Sequence, residues 1–152
     1  MSQAGGGYSG KPLPRGGHAY SGTPLPRKLG IRAGDRIALL SAPEGFDQTL
    51  GELPVGVSVY RSARGPLDVI VGFAGTRAEL DRRIIRWRAA LDPAGGLWIA
   101  WPKRSSGVAT DLGEAYVRGT GLAAGLVDNK VCAIDETWSG LRFVVRLADR
   151  PR

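Results

Sequence analysis

The chain has 152 residues, 43% of them apolar and 23% charged. That is the length and balance of a single globular domain, and it excludes a multidomain enzyme, a collagen-like or fibrous chain and a wholly disordered one. Its 21 basic and 14 acidic side chains give a net charge of +7, which points first to an acidic partner such as nucleic acid or a membrane surface.

The distribution of that charge narrows the inference. Residues 1–34 contain five basic side chains, no acidic one, nine of the 23 glycines and four of the ten prolines. Residues 35–152 hold the remaining 16 basic and 14 acidic side chains and carry only +2. The basic segment also holds the one internal repeat, YSGKPLPR at 8–15 and YSGTPLPR at 20–27. Prolines on either side of a leucine fix two φ angles and favour an extended path over a helix. We therefore expect residues 1–27 to form a flexible Gly/Pro-rich basic leader and residues 28–152 a single α/β domain. The leader is either a linear docking motif or a duplicated segment of which only the second copy touches the body.

In chain order, residues 36–41, apolar at 37–40 and bounded by Gly34-Asp35 and Ala42-Pro43, read as a buried strand. Residues 57–60 read as a weaker strand. The nearly continuous apolar run at 68–74 reads as a parallel strand covered on both faces. Thr76 and Glu79 have the spacing of a capping box, and Leu80, Ile84, Trp87 and Leu91 follow as one helical stripe. Residues 97–101 are the most apolar strand. A loop at 102–107 precedes a second helix opening at 111–114 and stopping at Gly119. Two strands at 130–134 and 141–147, joined by a polar loop at 135–140, close the chain.

This order predicts a doubly wound, mostly parallel Rossmann-like sheet ending in an antiparallel hairpin. It resembles the methyltransferase form of that fold in reduced size. Residues 20–31, 101–112 and 125–142 further resemble the actinobacterial domain-of-unknown-function family 3052, over roughly residues 20–150. What that resemblance implies is a bacterial cytoplasmic protein with a Rossmann-like body; it brings no catalytic residue with it.

The turn after the first strand, Ser41 to Phe46, carries one glycine and a proline, where a glycine-rich turn would let the backbone approach an adenosine-type cofactor. The second strand ends at Arg61 rather than at an acid suited to ribose hydroxyls. No cofactor is therefore expected, with S-adenosylmethionine as the alternative in an atypical mode. Ligands of open α/β sheets lie outside the carboxyl ends of the strands. That rule places Ser41, Glu44, Thr76, Arg77, Lys103, Arg104, Ser105 and Ser106, with Asp135 and Glu136, on one rim. Lys103 to Gly107 has the cations, hydroxyls and N–H groups to take a phosphate or carboxylate near a helix start; the alternative is a solvated loop whose Ser106 caps the next helix.

The body has no histidine and no nucleophile elbow, so no triad is expected. One cysteine, Cys132, and one histidine, His18, leave no metal site and no internal disulfide. Cys132 is expected to be a buried, inert thiol, and Trp87, Trp98 and Trp101 to be core. Trp138, in the polar hairpin loop, is an interface candidate. Residues 1–10 lack the apolar segment of a secretory signal, and no apolar run approaches the ~20 residues that span a bilayer. The expectation is a cytoplasmic, non-enzymatic module binding a small anionic ligand or a protein partner, with no membrane partner. The alternatives are a methyltransferase-like enzyme with an atypical cofactor loop and a weak nucleic-acid binder acting through its basic tail.

Overall fold

The computed structural model describes residues 22–151. The first copy of the repeat and His18 lie outside them. Twelve short elements follow in order, beginning with α1 (Leu25–Lys28), β1 (Arg36–Leu40), α2 (Phe46–Leu50), β2 (Ser58–Tyr60) and β3 (Leu67–Phe73). Then come α3 (Arg77–Ala90), β4 (Leu91–Pro102), a 3-10 turn at Arg104–Ser106, α4 (Glu114–Ala123), β5 (Leu126–Ala133), β6 (Trp138–Val145) and a last 3-10 turn. The six strands form one sheet in the order β2-β1-β3-β4-β6-β5. The first four are parallel, and β6 runs antiparallel to both β4 and β5. The fold is the expected mixed α/β one.

The central strands are apolar on both faces because both are covered. On one face α3 and α4 bury Leu80, Ile84, Trp87 and Val117 against Ile70, Leu97, Ile99 and Phe143. On the other, Leu29, Ile31, Phe46 and Leu50 cover Ile37, Val69, Val71 and Trp98. Trp98 and Trp101, three apart on β4, fall on opposite faces, as strand geometry requires.

Two glycines let these layers close. Any side chain on Gly72 of β3 would stand about 2.7 Å from the Trp87 ring of α3, and one on Gly121 of α4 would overlap the fully buried Phe143 ring. Gly121→Ala is expected to cost about 1–3 kcal/mol through overpacking. Urea denaturation would show it, and an unchanged midpoint would mean that the ring has somewhere to go.

Helix α3 begins as its sequence predicts: the Glu79 N–H donates to Thr76 Oγ1 at 3.2 Å. The Glu79 carboxylate reaches back one residue further than a capping box does, accepting from the Gly75 N–H at 2.7 Å. The Tyr116 hydroxyl of α4 donates to Asp81 of α3 at 2.7 Å, a bond that raises its pKa and joins the two helices.

Several boundaries move. The body begins before residue 28: α1 includes Leu25 and buries Pro26, and the Trp98 indole donates to the Leu29 carbonyl at 2.9 Å. The second helix does not open at 111 or stop at Gly119. It spans Glu114–Ala123, because Thr110 and Asp111 are engaged with the β3–α3 loop and because Gly121 is the seat for Phe143. The hairpin strands lie earlier than expected, and Leu147 is 79% exposed, since β5 has no partner to offer beyond the Leu126–Val145 pair. Trp138 is in β6, not in a loop.

Cys132 is buried. Burial pushes its thiol pKa up, opposed by Lys28, Lys130 and Lys103, so little thiolate forms near neutral pH. A thiol-reactive chromophore is expected to label native protein about tenfold more slowly than protein in urea; equal rates would show the site to be open.

Candidate functional site

From β1 the chain turns to β2 on one side and then crosses to β3 on the other. The carboxyl ends of β1 and β3 therefore flank the topological switch point, the place where open α/β sheets bind ligands. The turn that leaves β1 there has an unusual backbone. Ser41 sits at φ +57°, the one non-glycine residue at positive φ among the described residues, and Gly45 at +84°. Two left-handed residues four apart give the chain the sharp path that glycines give elsewhere, although only one of the two is glycine. Holding a serine left-handed costs about 1–2 kcal/mol. Such strain persists where the surrounding structure imposes it, commonly at ligand clamps.

Beside this turn, Asp47 in the first turn of α2 accepts both Oδ contacts from Arg61 Nη2, at 3.0 and 2.8 Å. Arg61 follows the end of β2, so the acid suited to a sugar diol comes from α2 rather than from the strand. Both side chains are more than half exposed, and Glu44 is exposed as well. Phe73, the last residue of β3, stacks edge-on against Phe46 at 4.9 Å and Trp138 at 5.0 Å. This closes the side of the rim next to α2. Trp138 is thus a core contact of the described chain rather than a free anchor, because β6 carries it over the end of β3.

The remaining predicted rim residues divide into two places. Thr76 caps α3. Arg77 is spent on the neighbouring loop: its N–H donates to Asp111 Oδ1 at 2.8 Å, its Nε to the Asp111 carbonyl at 2.8 Å, and its guanidinium lies 4.3 Å over the Tyr116 ring. Thr110 Oγ1 donates to the Gly75 carbonyl at 2.6 Å. Ser41, Glu44 and this tied loop border the switch point.

Lys103 to Ser106 form a separate turn at the end of β4. Ser106 does not cap the next helix. Its hydroxyl donates to the Lys103 carbonyl at 2.7 Å and accepts the Val108 N–H at 3.1 Å, closing the turn on itself. Nor does this turn stand at a helix start, since α4 opens only at Glu114 after Gly113. Arg104 and Ser105 are exposed. Asp135 is likewise occupied, accepting the Thr137 and Trp138 N–H groups at 2.8 Å each to form the hairpin turn.

Lys103, Asp135 and Glu136 do share one feature. With Lys28, Arg32 and Glu52 they edge an open groove of about 1520 Å³ between α1, the loop after α2 and the hairpin tip. This groove adjoins the rim on the α1 side and does not include Ser41 or Glu44.

Sequence reasoning missed α1, α2 and the Asp47–Arg61 pair. A signal for α1 existed, since Pro26 falls in the first helical turn where its missing N–H costs nothing. The five residues of α2 are too few to show a period. Among the described residues no group of histidine, cysteine and carboxylate side chains could hold a metal ion.

No protein-family model matches the chain, and no curated protein matches it in sequence. Solved structures do match its fold. A DhpI complex with S-adenosylhomocysteine superposes with a TM-score of 0.55 at 13% identity, over 85% of this chain and 83% of that one. A TehB-like S-adenosylmethionine-dependent methyltransferase from Corynebacterium glutamicum gives 0.53 at 10% identity, over 80% and 85%. Magnesium protoporphyrin IX methyltransferase from Synechocystis PCC 6803, with bound S-adenosylmethionine, gives 0.51 at 11%, over 80% and 74%. These likenesses correct two expectations, that of a non-enzymatic binding module and that of no cofactor. Two of these structures hold an S-adenosyl group and two are named as methyltransferases, which favours the alternative of an enzyme with an atypical cofactor loop. At such identities the likeness shows the fold alone: the chain has a Rossmann-like fold of the kind these proteins share.

Proposed function

We propose that the chain is an S-adenosylmethionine-dependent methyltransferase whose cofactor turn has been remodelled. The left-handed Ser41 carries this reading: the β1 turn has a glycine-type backbone at the switch point although its sequence holds a single glycine. The residues fit the cofactor there. The backbone from Ser41 to Gly45 would take its amino-acid end, and Glu44 and Asp47 are the carboxylates able to accept ribose hydroxyls. Pro43 offers no N–H, and Arg61 holds Asp47, so the contacts differ from those of a glycine-rich turn.

When bound, the cofactor supplies an electrophilic methyl group on a sulfonium. Lys103, half-buried at the end of β4, would draw an anionic acceptor into the groove beside α1, while Thr76, Arg77 and Asp111 keep the β3 end rigid. No helix among the described residues is long and apolar enough to cross a membrane. A cytoplasmic location, membership of the actinobacterial family and a small anionic acceptor are parts of the same proposal.

Titration calorimetry of purified protein with S-adenosylmethionine and S-adenosylhomocysteine tests it, together with a native mass spectrum for co-purified ligand. Saturable heat with either compound is expected. A folded protein giving no heat and no adduct would overturn the assignment.

A further inference from the structure

Arg142 lies on β6, opposite Trp98 of β4 and Lys130 of β5. Its neighbours Leu141, Phe143 and Val145 point into the core under α3 and α4, so by strand alternation Arg142 stands on the other face. There its guanidinium lies flat on the backbone of β4. A side chain on Gly96 would come within 2.6 Å of its Nε and Nη2 and 2.7 Å of its Cζ. The glycine is thus what admits the arginine to the sheet surface.

Cations predominate around this seat, although the Asp35 carboxylate lies against the Arg32 backbone. Lys130 is its cross-strand partner. Arg32 and Arg150 both act on it as like charges, and these, after burial, lower its pKa. Carboxylates are engaged elsewhere: Asp35 accepts the Arg32 N–H, Asp68 accepts the Arg36 N–H, and Asp128 pairs with Arg118. Among the described residues no carboxylate forms an ion pair with Arg32, Lys130, Arg142 or Arg150. Residues 1–21 contain no acidic side chain that could supply one.

A half-buried, uncompensated guanidinium is costly, and more so with like charges beside it. An anion from outside the chain would remove that cost. We propose that Arg142, with Arg32, Lys130 and Arg150 around it, is a phosphate-binding site on the open face of β6 and β5, separate from the switch-point cleft. A phosphate group fits better than a carboxylate because several positive charges call for a multiply charged anion, and the guanidinium fork can meet two of its oxygens. The phosphate could belong to a free phosphorylated compound or to the backbone of a nucleic-acid strand.

The test titrates the protein at 150 mM NaCl with sodium pyrophosphate by calorimetry, and with a fluorescein-labelled single-stranded 12-mer by anisotropy. Wild type, Arg142→Gln, Lys130→Gln and Arg86→Gln are compared. Arg86 is exposed on α3, on the opposite face of the sheet, and removes the same unit of charge. Binding of pyrophosphate, weakened about tenfold by Arg142→Gln and less than about twofold by Arg86→Gln, supports the site for a free phosphate. The same pattern with the 12-mer alone supports it for a nucleic-acid backbone. Lys130→Gln, on an exposed residue opposite Arg142 and outside the groove beside α1, keeps the test informative if Arg142→Gln does not fold. Equal weakening by Arg86→Gln, or no binding of either probe by wild type, overturns the proposal. Because neither probe carries an S-adenosyl group, the outcome is independent of the methyltransferase reading.

Discussion

Replacing Trp98 with alanine is expected to lower the unfolding free energy by about 3–5 kcal/mol, the largest single effect in the described chain. Trp98 is fully buried on β4, packed on the face that α1 and α2 cover, and it is the anchor for the segment entering β1. Its indole N–H donates to the Leu29 carbonyl at 2.9 Å across 69 residues of sequence, and Leu29 itself is fully buried. Truncation leaves a cavity and an unpaired carbonyl together. Trp98→Phe weights the two differently: it keeps an aromatic ring and a smaller void while removing the donor, so a lesser loss of about 1–3 kcal/mol is expected. Equilibrium denaturation measures both. Limited proteolysis adds a local readout, since cleavage at Arg27 or Lys28 should become faster in Trp98→Phe than in wild type. If cleavage is unchanged, the indole bond is not what holds α1.

The anchoring role of Trp98 also marks where sequence reading stopped. The strand run at 97–101 and the opposite facing of Trp98 and Trp101 follow from period-two alternation, and so were readable. The same holds for the α3 stripe, where Leu80, Ile84 and Trp87 recur at helical spacing, and for its Thr76 cap. What covers the second face was not readable. Residues 25–27 look like the end of a Gly/Pro-rich leader, and it is the burial of Pro26 and Leu29 together with the bond from Trp98 to Leu29 that shows α1 to belong to the body. Long-range pairing of this kind leaves no local period.

The site divides in the same way. Strand ends lead to the expectation of one rim holding Ser41, Glu44, Thr76 and Lys103. They could not show that Arg77, Ser106 and Asp135 are occupied by neighbouring backbone groups, or that Lys103 faces a different groove from Ser41. The scarcity of glycine in the β1 turn is visible in the sequence and by itself predicts no cofactor. Backbone conformation is not a function of composition alone, however. A serine can be held left-handed by the strand before it and the helix after it, and at Ser41 it is.

That distinction makes Ser41 the second site of large expected effect. In Ser41→Gly the left-handed cost of about 1–2 kcal/mol disappears, while about 0.5–1 kcal/mol is lost to the greater freedom of glycine in the unfolded chain. A small net gain, of the order of 0.5 kcal/mol, is therefore expected. Ser41→Val moves the other way, because a branched Cβ is strongly disfavoured at positive φ, and should destabilise by about 1–3 kcal/mol. The two variants should also separate in binding. If the turn holds the S-adenosyl group through its backbone, Ser41→Gly retains wild-type affinity and Ser41→Val weakens it about tenfold or more, worth about 1.4 kcal/mol. Denaturation without ligand gives the stability term, and calorimetry on the folded fraction gives the affinity term. Should Ser41→Val be destabilised yet bind as tightly as wild type, the strain at this turn serves the fold alone, and the cofactor contacts must lie elsewhere on the rim.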